Sequence, residues 1–150
     1  MSKSEKVVDQ TGAAGKSAAN KPVTIREPDR RRQELGRKGE ELACTLLLRN
    51  GAEILERNWK CPAGEADIIA REDGELVFAE VKTRRNISSG FPEEAVTARK
   101  RARYERIALM YLANHDLPSS RVRFDVIAVT LISESKTMIR HHRDAFSAGV

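Results

Sequence analysis

The sequence predicts an α/β domain built on a single mixed β-sheet flanked by helices, in the order α-β-β-β-α-β-β. Three observations predict it. Asp73-Gly74 stands between two apolar runs, the strongest short-range hairpin signal, with both residues in a type I′ turn. The runs themselves, Ile68-Ile69-Ala70 and Leu76-Val77-Phe78-Ala79, are apolar without alternation, which suits strands covered on both faces. Stretches with helical apolar spacing lie before and after this hairpin and can supply the cover.

Each element has its own signal. Residues 1–28, rich in Ser, Lys, Ala, Gly and Asn without periodicity, predict a disordered arm, which leaves 29–150 as the folded domain. A helix is expected over 30–50, with Leu35, Leu42, Ala43, Leu46 and Leu47 as its apolar stripe and Gly51 as its C-cap. Residues 52–60 read as a strand, followed by the hairpin strands 65–70 and 76–83. A polar loop covers 84–90. Phe91-Pro92-Glu93-Glu94 predicts the opening of a second helix reaching Asn114, with proline in its first turn and acids complementing its dipole. Leu117-Pro118 ends that helix region. Residues 121–130 form an apolar strand, and 137–142 a last strand at the sheet edge.

The hairpin register singles out a chemistry. With Asp73 and Gly74 as the loop, Asp67 faces Glu80 and Glu65 faces Lys82, all four on one side of the sheet. Directly opposed residues have Cβ atoms roughly 4.5–5.5 Å apart, where like charges destabilise. Two carboxylates held so among apolar neighbours call for a cation or a shared proton. The pattern reads as a divalent-metal site with a lysine beside it, and hard oxygen donors suit Mg²⁺ or Mn²⁺. The bland alternative is a buried Glu–Lys ion pair without metal. Glu40 lies three, four and seven residues before Ala43, Cys44 and Leu47, so it leans towards the core.

Composition bounds the partners. The 150 residues carry a net charge of +5, which suits a polyanion such as DNA. Arg84 and Arg85, with Arg99, Lys100 and Arg103 on the second helix, could grip phosphates, or could simply form a solvated face. Lys100 is the one expected to approach the acids if its face turns inward. The two cysteines have no zinc-ligand spacing and fit a reducing cytoplasm. No apolar run is long enough for a membrane span. Asp125, within an apolar strand, reads as a structural hydrogen-bond acceptor, Trp59 as core, and the three histidines as exposed.

The element order, with Asp67, Glu80-Val81-Lys82 and an acid on the first helix, resembles the restriction-endonuclease-like superfamily and its PD-(D/E)XK motif. More narrowly, Gly36-Arg37-Lys38-Gly39-Glu40, Gly64-Glu65-Ala66-Asp67-Ile68-Ile69-Ala70 and Val77-Phe78-Ala79-Glu80-Val81-Lys82-Thr83-Arg84 resemble the bacterial YraN family, which is similar to archaeal Holliday junction resolvases. Ala66 stands where the motif name has proline. The resemblance implies a metal-dependent endonuclease acting on DNA, branched or damaged DNA included, and a homodimer. It implies Asp67, Glu80 and Lys82 as catalytic residues, with Asp67, Glu80 and Glu40 around the metal. Glu65 would be a secondary ligand or the partner that sets Lys82. The competing class is a non-catalytic nucleic-acid-binding or adaptor domain that keeps the fold.

Overall fold

The computed structural model describes residues 24, 26–85, 97–117 and 120–146. Its element order is the expected one: α1 (Glu27–Arg49), β1 (Glu53–Cys61), β2 (Gly64–Glu72), β3 (Glu75–Arg84), α2 (Ala98–Asn114), β4 (Arg121–Ser133) and β5 (Lys136–Phe146). The five strands make one sheet in sequence order, antiparallel except for the parallel β3–β4 pair. A parallel pair needs a crossover from one end of the sheet to the other, and α2 lies in it.

The chain divides into two units, Met1–Arg31 and Arg32–Val150. In the first, the described residues make exposed pairs along the helix, such as Arg31–Glu27 at 3.5 Å, of a kind that adds little stability. The second holds the sheet and everything that follows. α1 begins at Glu27, earlier than expected, so the anticipated arm is shortened at its end, and nearly all the rest of it lies outside the described residues. The C-terminal end of α1 is as expected. Gly51 takes φ 91°, and the Ala52 N–H reaches back to the Leu47 carbonyl at 3.0 Å, closing the last turn.

Two apolar cores explain the unalternated strands. On one face Ile68, Ala70, Val77, Ala79, Ile127 and Val129 pack under Ala43, Cys44 and Leu47 of α1. On the other, Ile69, Leu76, Phe78, Phe124 and Val126 pack under Tyr104, Ile107, Ala108 and Tyr111 of α2. Each fully buried aliphatic or aromatic side chain of this kind contributes about 1.5–3 kcal/mol. Trp59 joins the α2-side core, edge-on to Tyr111 at 5.1 Å between ring centroids, as expected for a packing residue.

The hairpin forms in the expected register, with Glu72 opposite Glu75, Ala70 opposite Val77 and Ile68 opposite Ala79. Asp73 and Gly74 take φ 49° and 79°, the paired positive values that a type I′ turn requires. The second helix differs from expectation. It starts at Ala98, where the Thr97 hydroxyl accepts the Lys100 N–H at 3.2 Å as an N-cap, and the anticipated opening at 91–94 lies outside the described residues. β4 and β5 both run further than the sequence pattern suggested. Their pairing extends past the apolar stretch to Ser133 opposite Lys136.

Candidate active site

The β2–β3 ladder ends at Ile68 opposite Ala79, one rung short of the expected Asp67–Glu80 pair. Alternation fails at that point. Ala66 and Ile69 both join the α2-side core while Ile68 joins the other, so the strand turns over at Asp67. On the neighbouring strand Arg57 opposes Ile68 and Trp59 opposes Ala66, and Asn58 between them has φ 52°. A paired kink thus crosses β1 and β2 at Asn58 and Asp67. Irregularities of this kind re-aim side chains and interrupt backbone pairing.

The kink gives Asp67 a different partner from the one its register implied. Its Oδ2 accepts the Val81 N–H at 2.8 Å, so a carboxylate takes the place of a strand carbonyl. Burial, joined by the negative charges of Glu80, Glu40 and Glu65 and opposed by the Val81 bond, pushes the Asp67 carboxyl up to about 7. The four carboxylates anticipated near one another therefore do share one electrostatic neighbourhood, without forming rungs of one ladder.

Glu80 is the most heavily engaged acid. Lys100 Nζ donates to its Oε2 at 2.8 Å, the Tyr104 hydroxyl donates to Oε1 at 2.7 Å, and Lys82 Nζ lies 3.3 Å from Oε2. Arg103 approaches Oε1 at 4.0 Å. Burial alone would raise the Glu80 pKa, but the bonds from Lys100 and Tyr104 and the charges of both lysines hold it below the usual range. The lysines respond in opposite senses. Burial, with Lys100 beside it, lowers the Lys82 pKa despite the pull of Glu80. Burial opposes the charge on Lys100 too, yet its bond to Glu80 wins and raises it.

The remaining expected residues fall at different distances from this centre. Glu40, on α1, accepts from Asn58 Nδ2 at 3.0 Å, and its pKa is raised by burial and by Glu65. It reaches its place because Gly39 lets α1 close on β3, where a Cβ would fall 1.8 Å from Thr83 Oγ1. Glu65 is exposed and paired across the ladder with Lys60, so the anticipated Glu65–Lys82 rung is absent. The ladder stops before reaching it because of the kink. Lys100 does turn inward, and Arg103 lies against Gly64 on the same side. Arg99 is exposed on α2 and Arg84 half-buried at the end of β3. Arg85 lines a cleft of about 380 Å³ with Lys38, Leu131 and Ser133.

Two participants escaped sequence reasoning. Tyr104 follows Lys100 by one helical turn, a spacing that places both on one face, but it stands in a charged run between Arg103 and Glu105 that gives it no signal of its own. Asn58 is a strand residue whose tolerance of the left-handed region was its one signal.

The donor set suits a hard divalent cation. Mg²⁺ commonly takes one or two protein carboxylates and fills its shell with water and phosphate oxygens, and Asp67 and Glu80 are the two that would have to supply such a pair. Among the described residues no three His, Cys, Asp or Glu side chains converge as a ready-made metal group. Burial first, and the neighbouring acids after it, raise Asp67, and a bound cation would act against both.

A second polar centre lies towards the turn end of the sheet. Arg123 bonds both oxygens of fully buried Asp125, at 2.9 and 3.0 Å, and also reaches Glu72 and Glu75. Asp125 is the structural acceptor the sequence suggested, taking the Asp144 N–H at 3.0 Å as well. His141 corrects an expectation. It is not solvent-exposed but only 9% accessible, with Nε2 2.7 Å from Asp125 Oδ2, because β5 folds it onto the face where Asp125 needs partners.

Among the described residues no helix is long and apolar enough to cross a membrane. Residues 39–129 match the family described as uncharacterised protein family UPF0102. The span includes Glu40, Asp67, Glu80, Lys82, Lys100 and Tyr104. A UPF0102 protein of Nocardia farcinica is 46% identical over 115 residues, 77% of this chain and 91% of its own length. One from Roseiflexus castenholzii is 50% identical over 102 residues, 67% of this chain and 82% of its own. One from Pelobacter propionicus is 43% identical over 134 residues, 88% of this chain and 94% of its own. With its α-β-β-β-α-β-β fold and this extended similarity, the chain belongs to UPF0102, the YraN family.

Proposed function

We propose that this protein is a metal-dependent endonuclease that hydrolyses phosphodiester bonds in DNA, with branched or damaged DNA as the structures to test first. The carrying observation is the gathering of Asp67, Glu80 and Lys82 where the β2–β3 ladder breaks. Asp67 and Glu80 hold Mg²⁺ or Mn²⁺. When bound, the ion supplies Lewis-acid chemistry, lowering the pKa of water and neutralising charge on the scissile phosphate. Lys82, two residues beyond Glu80 and drawn below its usual pKa, orients the attacking water and steadies the negative charge that develops on phosphorus. Glu40, held by Asn58, positions water at the acidic side. Arg84, Arg85, Arg99 and Arg103 give the backbone of the DNA a cationic approach. Both cysteines are free, which suits a reducing cytoplasm.

The test is a cleavage screen over linear, nicked, flapped and four-way DNA with Mg²⁺ or Mn²⁺ and with chelator. Cutting should require the divalent ion and disappear in Asp67→Asn and Lys82→Ala while the fold is kept. Undiminished cutting by either variant would sink the assignment. A second reading, a non-catalytic binding module, draws on one observation: Glu80 is already occupied by two ammonium groups and a hydroxyl. It expects salt-sensitive DNA binding that ignores metal and survives Glu80→Gln.

A further inference from the structure

Both oxygens of Glu80 are occupied by groups of this chain. Oε2 carries Lys100 at 2.8 Å and Lys82 at 3.3 Å, and Oε1 carries Tyr104 at 2.7 Å. A doubly charged ion approaching Oε2 would meet two ammonium groups within a few ångströms, where like charges repel strongly in a partly buried site. With three of its roughly four acceptor positions taken and two of the three partners cationic, Glu80 becomes a good ligand only when one of the three gives way. They differ in freedom to do so.

Tyr104 is 1% exposed, its ring packed against Phe124 and Phe146 at 6.3 and 6.2 Å between centroids, so it has nowhere to go. Lys82 is as exposed as Lys100, but it stands on the same strand as Glu80, two residues along, so its ammonium stays on that side of the sheet whatever its rotamer. Lys100 belongs to the first turn of α2, just after the Thr97 cap, outside both apolar cores and with about a quarter of its side chain open to solvent. Its flexible four-carbon stem lets the ammonium swing out without disturbing the helix.

We propose that Lys100 is an exchangeable internal cation: it neutralises Glu80 until a divalent ion takes its place, and on release its ammonium stands beside the site, ready for a phosphate of the incoming DNA. This rests on the metal-dependent reading of the site and adds a device to it. Lys100 is a positioning residue that sets how much divalent ion is needed, and Tyr104 holds the Glu80 carboxylate in aim throughout. A lysine that merely propped Glu80 in place would have the opposite signature, since its loss would loosen the ligand and weaken metal binding.

The experiment is Mn²⁺ binding to the full chain without DNA, followed by the paramagnetic signal of free Mn²⁺. Lys100→Gln should bind Mn²⁺ about tenfold more tightly than wild type, because one repelling charge is gone. Lys100→Arg keeps the charge and should match wild type. Tyr104→Phe frees the other oxygen but removes no charge and loosens the aim of Glu80, so it should bind Mn²⁺ no more tightly than wild type. Lys100→Gln binding no better than wild type, or Tyr104→Phe gaining as much as Lys100→Gln, overturns the exchange. If wild type cuts DNA with Mn²⁺ while Lys100→Gln gains nothing, the exchange alone is wrong and the nuclease stands. If neither protein binds Mn²⁺ and wild type cuts nothing, the nuclease reading falls and the exchange with it.

Discussion

The Asp67 carboxylate accepts the Val81 N–H at 2.8 Å at the place where the backbone ladder between their strands has stopped. A side chain thus continues what the backbone leaves off. The consequence is that Asp67 is anchored, partly buried and surrounded by acids, with its carboxyl pushed up to about 7.

That raised value sets a pH dependence for the metal-free protein. The native state holds a proton on Asp67 that the unfolded chain releases near pH 4, so stability falls as pH rises from about 4 to about 7 and levels off above. Asp67→Asn keeps an oxygen for Val81 and removes the charge. Its stability relative to wild type should rise across that window by on the order of 2–4 kcal/mol. Urea unfolding in chelator at pH 4.5, 6 and 8 measures it, and a constant difference would contradict the buried-acid account.

Arg123 serves Glu72, Glu75 and Asp125 at once. Replacing it with Met leaves Asp125 and Glu72, 0% and 3% exposed, without their main countercharge. The expected loss is roughly 3–5 kcal/mol, the range for breaking a buried pair from one side. The double variant Arg123→Met, Asp125→Leu should recover part of it. Thermal or chemical denaturation of these two and of Asp125→Leu decides, and a double variant that loses as much as the two singles together would count against a coupled network.

Gly39 touches Thr83 so closely that Gly39→Ala must push α1 off β3. Overpacking of this sort costs about 1–3 kcal/mol. Glu40 moves with the helix, so DNA cutting should fall further than the stability loss accounts for. Thr83→Ala placed beside it should restore part of both, and rescue of neither would mean the helix is held elsewhere.

Arg99 is exposed on the helix that carries Lys100. If duplex DNA lies along that helix, Arg99→Ala should reduce the slope of log K against log salt by about 0.9. An unchanged slope assigns Arg99 to solvent.

Much of the fold was legible because it rests on local and periodic signals. The Asp73-Gly74 turn dictated the hairpin register, the unbroken apolar runs dictated cover on both faces, and Gly51 marked the end of α1. Asp67, Glu80 and Lys82 still lie in one neighbourhood, although the register and alternation that grouped them on paper break at Asp67. What only the tertiary structure decided is how they meet. The kink at Asn58 and Asp67 arises between two strands and shows in neither alone. Tyr104, Lys100 and His141 gain their partners by packing across 24, 20 and 16 residues. Such contacts depend on where helices and edge strands come to rest against the sheet, and burial, which only the assembled chain possesses, then sets the charge each group prefers.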